Sequence, residues 1–229
     1  MRLHRFYTGS AKLEHYLELQ DKRLLDQWRK VLRFRPGQEV ILFDGHGQEK
    51  LYSLNELSKD HATLELITEF EAKIPLREVY LFWSLLKKDK NDWVLQKATE
   101  LGVSHFVPLL AERSEKTGFN IERAQKIVIE AAEQCGRSDI PSIREPMLLQ
   151  TALHEFSGKL PMFVCEQHEL IKPKTPNYQE VGVLIGPEGG WSESEKQLFV
   201  TQEVGRLQLG EFTLRAETAC VTAVAKLLQ

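Results

Sequence analysis

From Val79 to its end the chain alternates short apolar runs with segments of helical period, and that rhythm leaves few folds open. VYLFWSLL (79–86), VSHFVPLL (103–110), LPMFVCE (160–166) and VGVLIG (181–186) read as buried strands. Asn91 or Asp92 is placed to cap a helix whose Val94, Ala98 and Leu101 share a face, with Gly102 as the glycine beyond its end. Asn120 opens a second helix that turns Ile121, Ala124, Val128, Ala131 and Cys135 inward and closes at Gly136. The last 15 residues form another, with small residues at Ala216, Ala219, Cys220 and Ala223, a stripe suited to close packing on a sheet or a second subunit. Strands alternating with helices predict an α/β domain with a mainly parallel sheet.

Before Pro75 the pattern differs. Leu24, Leu25, Trp28, Val31 and Leu32 follow helical spacing, then EVILF (39–43), KLYSL (50–54) and HATLELITEF (61–70) read as strands. A length of 229 residues suits two domains. The expectation is a small β-rich domain over 1–73 and the α/β domain over 74–229.

Charge is uneven. Residues 1–35 carry nine Lys or Arg against four Asp or Glu, whereas residues 36–72 carry two against eight. A basic patch of this kind suits a phosphate backbone even though the net charge is −3, and a solvated helix face gives the same pattern. Cys135, Cys165 and Cys220 fit neither a disulfide framework nor a zinc motif and read as small core residues of a cytoplasmic protein. No run reaches a membrane span, and the histidines have no metal spacing.

LIGPEGGWSESE (184–195) ends a strand in three glycines, a proline and a tryptophan. Ligands of open parallel sheets bind beyond the carboxyl ends of strands, where this loop lies. The spacing fits neither G-x-x-x-x-G-K-[ST] nor G-x-G-x-x-G, and Glu188, Glu193 and Glu195 would repel a phosphate. Ser192 and Glu195 form a capping box, which accounts for part of this acidity but leaves Glu188 unexplained. The loop suits an uncharged or cationic ligand held by backbone groups. LGEFTLRAETAC (209–220) has the same character: glycine, a charged turn, then a small-residue helix.

The pair GPEGG and LGxxxLRxETA resembles the SPOUT methyltransferases, and within them the family that methylates uracil N3 of bacterial 16S ribosomal RNA. KATELGV (97–103), ERSE (112–115), EAAEQCGR (130–137) and VLRFRPGQEVILFDGHG (31–47) follow the same family's motifs in order. Asp26-Gln27 stands where the family often has a histidine pair, and Ala216 where threonine is common.

The resemblance implies a C-terminal domain with a deep trefoil knot, although knots are otherwise essentially absent from proteins, and an N-terminal RNA-binding barrel similar to PUA domains. It implies a homodimer that binds S-adenosylmethionine in the knot loops and acts on 16S rRNA, with no metal and no membrane partner. Carried onto this chain, the cofactor contacts are Val164, Leu184, Ile185, Gly186, Pro187, Glu188, Gly189, Gly190, Leu209, Gly210, Leu214, Thr218 and Ala219.

Uracil N3 holds a proton at neutral pH, so the chemistry needs a base within hydrogen-bond reach and cations for the developing anion. Glu217 is the candidate base, with a helix-dipole carboxylate or an arginine partner as its other reading, and Arg215 is the candidate cation, with a surface ion pair as its other reading. Arg5, Arg33, Arg113 and Arg137 are candidate RNA contacts. Trp191 reads either as a stacking surface for a flipped base or as a packing residue. Two other readings stay open: methylation of ribose 2′-OH, and an RNA-binding protein without catalysis.

Overall fold

The computed structural model describes residues 3–9, 11–114, 118–166 and 178–228, and Glu115 of the ERSE motif lies outside them. The described chain divides into two compact units, one of residues 1–74 with 132–140, the other of residues 75–131 with 141–229.

The first unit contains β1 (His4–Tyr7), β2 (Tyr16–Leu19), α1 (Lys22–Asp26), β3 (Glu39–Phe43), β4 (Glu49–Leu57) and β5 (Ala62–Phe70). The strands form one sheet in the order β1-β3-β4-β5-β2, parallel only between β1 and β3. Alternate strand residues, among them Val40, Leu42, Tyr52, Leu54 and Leu64, close over Leu24, Leu25 and Trp28 to form the core. Asp21 caps α1 by accepting from the backbone N–H groups of Arg23 and Leu24. Beyond α1 the helix widens into a π-helical stretch, Gln27–Leu32. A wider turn changes the angular step between side chains, so Val31, expected on the inner face, is 72% exposed.

The segment 132–140 was expected in the second domain, and a polar network explains its place in the first. Glu49, itself 3% exposed, binds Arg5 through both carboxylate oxygens and accepts from Ser138 Oγ at 2.5 Å. Arg5 also donates to the Arg137 carbonyl, Glu133 accepts from the Tyr7 N–H, and Ser138 N–H donates to the Lys73 carbonyl. Cys135, expected inward, is exposed.

The second unit runs β6 (Glu78–Ser84), α2 (Lys88–Leu101), β7 (His105–Leu110), α3 (Ile121–Cys135, whose end from Ala132 is grouped with the first unit), β8 (Ser142–Ile143), β9 (Met147–Leu148), α4 (Leu149–Phe156), β10 (Met162–Cys165), β11 (Glu180–Ile185), α5 (Glu193–Thr201), β12 (Gly205–Leu207) and α6 (Ala216–Leu228). The sheet order is β12-β10-β11-β6-β7-β8 with β9 also on β7, and every pairing is parallel. Its central strands are buried runs, as a sheet covered on both faces requires.

One expectation changes here, and one of two open packings is decided. Asn91 does not cap α2, which begins at Lys88. Instead its buried amide accepts from Trp83 Nε1 and the Leu86 N–H and donates to the Leu86 carbonyl, fixing the β6–α2 connection. The small-residue stripe of α6 is already used within the protomer: Ala216, Cys220 and Ala223 are at most 8% exposed, and α6 packs on α2, β6 and β11. Burial pushes the Cys220 thiol far up, so it stays protonated. Gly102 ends α2 in the left-handed region at φ 108°.

Candidate functional site

Two loops of the second unit define the site. The first leaves the carboxyl end of β11 at Ile185 and reaches α5 at Glu193. Pro187 to Gly190 form a turn, with the Gly190 N–H donating to the Pro187 carbonyl at 2.8 Å and Gly190 at φ 69°. The capping box holds the loop's far end: Ser192 Oγ accepts from the Glu195 N–H, and Glu195 Oε2 accepts from the Ser192 N–H at 2.8 Å. Glu195 is buried, and its other oxygen accepts from the Glu112 N–H at 2.9 Å, so this carboxylate ties the loop after β7 to the start of α5. Arg113 Nη1 donates to the Gly189 carbonyl at 2.9 Å and braces the same loop from outside.

Side-chain-free backbone is a packing requirement at Gly186. A Cβ there would come within 3.0 Å of the Trp191 indole. Trp191 is 5% exposed and meets Phe199 edge-on, with ring centroids 5.1 Å apart. It is therefore a packing residue of the loop's floor and offers no open face to a base.

The second loop runs from β12 through 208–215 into α6. Lys226 Nζ donates to the Gln208 carbonyl at its start, and the Arg215 carbonyl accepts from the Ala219 N–H at its end. Between the loops lies a groove of about 1020 Å³. Of the expected cofactor contacts, Ile185, Gly186, Pro187, Glu188, Gly189, Gly190, Leu209, Gly210, Leu214 and Ala219 line it. Val164 and Leu184 do not: both are fully buried in the core, and their strands reach the groove through Cys165 and Ile185 instead. Thr218 is not a lining residue either, since α6 turns Ala219 to the groove.

Arg215 lines the groove and is exposed. Glu217 does not line it but is joined to a residue that does. Lys90, in the first turn of α2, places Nζ 2.7 Å from Glu188 Oε1 and 3.3 Å from Glu217 Oε2. Glu217 Oε2 is buried without a well-aligned hydrogen bond, so this ammonium is the counter-charge found beside it. The Glu188 hydrogen bond and, after it, the Glu217 carboxylate hold the Lys90 ammonium above its ordinary value against the opposing effect of burial. Burial alone would raise the Glu188 carboxyl, but the Lys90 bond, a backbone N–H and nearby lysine charge outweigh it and lower the group.

Lys90 went unnoticed in the sequence, although a signal was there. A cation in the first helical turn opposes the helix dipole, so the basic run Lys87, Lys88 and Lys90 calls for acidic partners.

The expected RNA contacts separate. Arg113 and Arg33 are exposed, and Arg113 lines the groove. The Arg5 side chain is 12% exposed and bound to Glu49, while Arg137, 7% exposed, binds Asp139 through Nε and Nη2. Both guanidinium groups are held inside the first unit by carboxylates and are not presented to a phosphate. Among the described residues no group of three His, Cys, Asp or Glu is arranged to hold a metal, and no helix is long and apolar enough to cross a membrane.

Comparison with known proteins places this geometry. An RNA methyltransferase domain family matches residues 72–228, and an RNA methyltransferase PUA domain matches residues 29–67. Ribosomal RNA small subunit methyltransferase E of Bacillus subtilis is 31% identical over 85% of this chain and 83% of its own length. The protein of that name from Aquifex aeolicus is 33% identical over 74% of this chain and 76% of its own. The crystal structure of ribosomal RNA small subunit methyltransferase E from Neisseria gonorrhoeae, bound to S-adenosylmethionine, superposes with a TM-score of 0.90 at 30% identity, covering 98% of this chain and 96% of that one. The chain belongs to the RNA methyltransferase family, among the ribosomal RNA small subunit methyltransferase E proteins.

Proposed function

We propose that this protein transfers a methyl group from S-adenosylmethionine to N3 of a uracil in the small-subunit 16S ribosomal RNA, acting in the cytoplasm as a homodimer. The observation that carries the reading is the link from Glu188 of the glycine-rich loop through Lys90 to Glu217, which puts a partly buried carboxylate beside the ligand loops.

The groove fits the cofactor by its chemistry. It offers bare backbone at Gly186, Gly189, Gly190 and Gly210, and its volume is ample for a nucleoside-sized ligand. Its charged lining is mixed, Lys90, Arg113, Lys196, Arg206 and Arg215 against Glu166, Glu188 and Glu193, so the bare backbone rather than the net charge carries the fit. When bound, S-adenosylmethionine supplies an electrophilic methyl group on a sulfonium.

The chain's own residues do the rest. Gly186 to Gly190 and Leu209 to Leu214 hold the ligand from two sides, so the protein's main contribution is orientation, worth roughly 7–11 kcal/mol in favourable cases. Glu217 removes the N3 proton through Oε1, since Oε2 faces Lys90. Arg215, exposed at the groove, stabilises a carbonyl oxygen of the uracil anion. Arg113 reaches RNA while anchored to the Gly189 carbonyl. The PUA domain supplies further RNA contacts through exposed cations such as Arg33. The return of β12 to β10, followed by passage of 208–215 to α6 against β6 and β11, supports reading the chain path as a trefoil knot.

The test is transfer of isotopic label from S-adenosylmethionine to the RNA of small subunits from cells lacking this methylation. Label in the RNA is expected. Calorimetric binding of S-adenosylmethionine with no label transferred would favour a silent RNA-binding protein instead.

A further inference from the structure

We propose that Lys90 is a positioning residue for this reaction: one ammonium joins the glycine-rich loop to the first turn of α6 and keeps the Glu217 carboxylate oriented and ready to accept a proton. The inference rests on the proposed role of Glu217.

Three observations support it. Lys90 Nζ is 2.7 Å from Glu188 and 3.3 Å from Glu217, so a single side chain joins the glycine-rich loop to the first turn of α6. Among the described residues Glu217 Oε2 is buried with no hydrogen-bond donor, and a buried carboxylate is costly unless a counter-charge stands beside it. Lys90 also sits where its charge opposes the α2 dipole, a position that these two carboxylates compensate.

Among the described residues Lys90 is the one cation that forms an ion pair with Glu217. Around Lys90, α2 carries Asp89 and Asp92, and Asp92 is bound by Arg123. The strands under α6, β6 and β11, carry ionisable groups only at Glu78, Tyr80 and Glu180, in their first halves. Along α6 the next titratable group is Cys220, a buried neutral thiol. Arg215 precedes α6 and faces the groove.

Without Lys90, the Glu217 carboxylate would lose the ion pair that ties it to Glu188 of the glycine-rich loop, and with it its fixed orientation.

The experiment compares wild type, Lys90→Met, Lys90→Arg, Glu217→Gln and the Lys90→Met/Glu217→Gln double variant. Two readouts are taken: the pH profile of methyl transfer to small subunits, and the ¹³C titration of the Glu217 carboxyl in ligand-free protein, assigned by its absence in Glu217→Gln. Lys90→Met should move both the acid limb of kcat and the carboxyl midpoint upward. At neutral pH its turnover should fall about tenfold or more. Lys90→Arg should restore most of both, and Lys90→Met should add little loss in the Glu217→Gln background.

A carboxyl midpoint unchanged in Lys90→Met, or a loss that adds fully to that of Glu217→Gln, would overturn the proposal. A fall in melting temperature alone, with neither readout moved, would make Lys90 merely structural and also overturn it. If wild type methylates nothing, the functional reading fails, and the ligand-free titration still decides whether Lys90 controls Glu217.

Discussion

Arg5 and Glu49 form a buried ion pair inside the first unit, and Ser138 Oγ completes it at 2.5 Å from the second carboxylate oxygen. An arginine from β1 that reads as an RNA contact is thereby a structural element. Removing one partner strands the other charge, so Arg5→Ala should cost about 3–5 kcal/mol of stability, measured by urea unfolding. Replacing both with apolar residues, as in Arg5→Met/Glu49→Leu, should cost much less. Unchanged stability with a flattened salt dependence of RNA binding would return Arg5 to the phosphate backbone.

Arg33 gives the contrasting prediction. It is exposed, in the left-handed region at φ 55° where the π-helical stretch ends. Arg33→Gln should weaken RNA binding about equally for all sequences and lower the magnitude of the salt slope by about 1. Filter binding at several salt concentrations measures this, and an unchanged slope would exclude Arg33 from the interface.

Glu217→Gln keeps the shape of the side chain and removes its basicity. S-adenosylmethionine affinity by calorimetry should stay close to that of wild type, while transfer falls by about 10²–10⁴. Full transfer in this variant would take Glu217 out of the chemistry.

The Lys90–Glu188 pair sets a pH window for the glycine-rich loop. Glu188 is lowered from 4.5, so its contribution is complete above that value and lost as pH falls through the lowered one. Lys90 is raised from 10.5, so its contribution is complete below that value and lost as pH rises through the raised one. The amide shifts of Gly189 and Gly190 should therefore stay constant between 4.5 and 10.5 and change only outside. A transition of these amides near neutral pH would contradict the pairing.

The sequence was most legible where a local signal decides the outcome. The Ser192–Glu195 capping box, the Asn120 cap and Gly102 at the end of α2 depend on neighbours in the chain, and all three are present. Periodicity and turn residues located β3, β4, β5 and the parallel strands β6, β7, β10 and β11 for the same reason, but not the short β1, β2, β8, β9 and β12. Misreadings arise where a side-chain partner that no period or turn signal announces decides, whether a few residues away or far along the chain. Asn91 looks like a cap until Trp83 and Leu86 take its amide. Arg5 and Arg137 look like free cations until Glu49 and Asp139, one of them 44 residues away, bind them. Lys90 is not legible because its partners lie 98 and 127 residues further along, in the glycine-rich loop and in α6, which only the fold brings together.

The central claim is tested most directly by the identity of the methylated nucleoside. Small subunits lacking rRNA uracil methylation are incubated with the protein and labelled S-adenosylmethionine, and the RNA is digested and analysed by mass spectrometry. Labelled 3-methyluridine is the predicted product. Label on a ribose 2′-oxygen or on any other base would contradict the account.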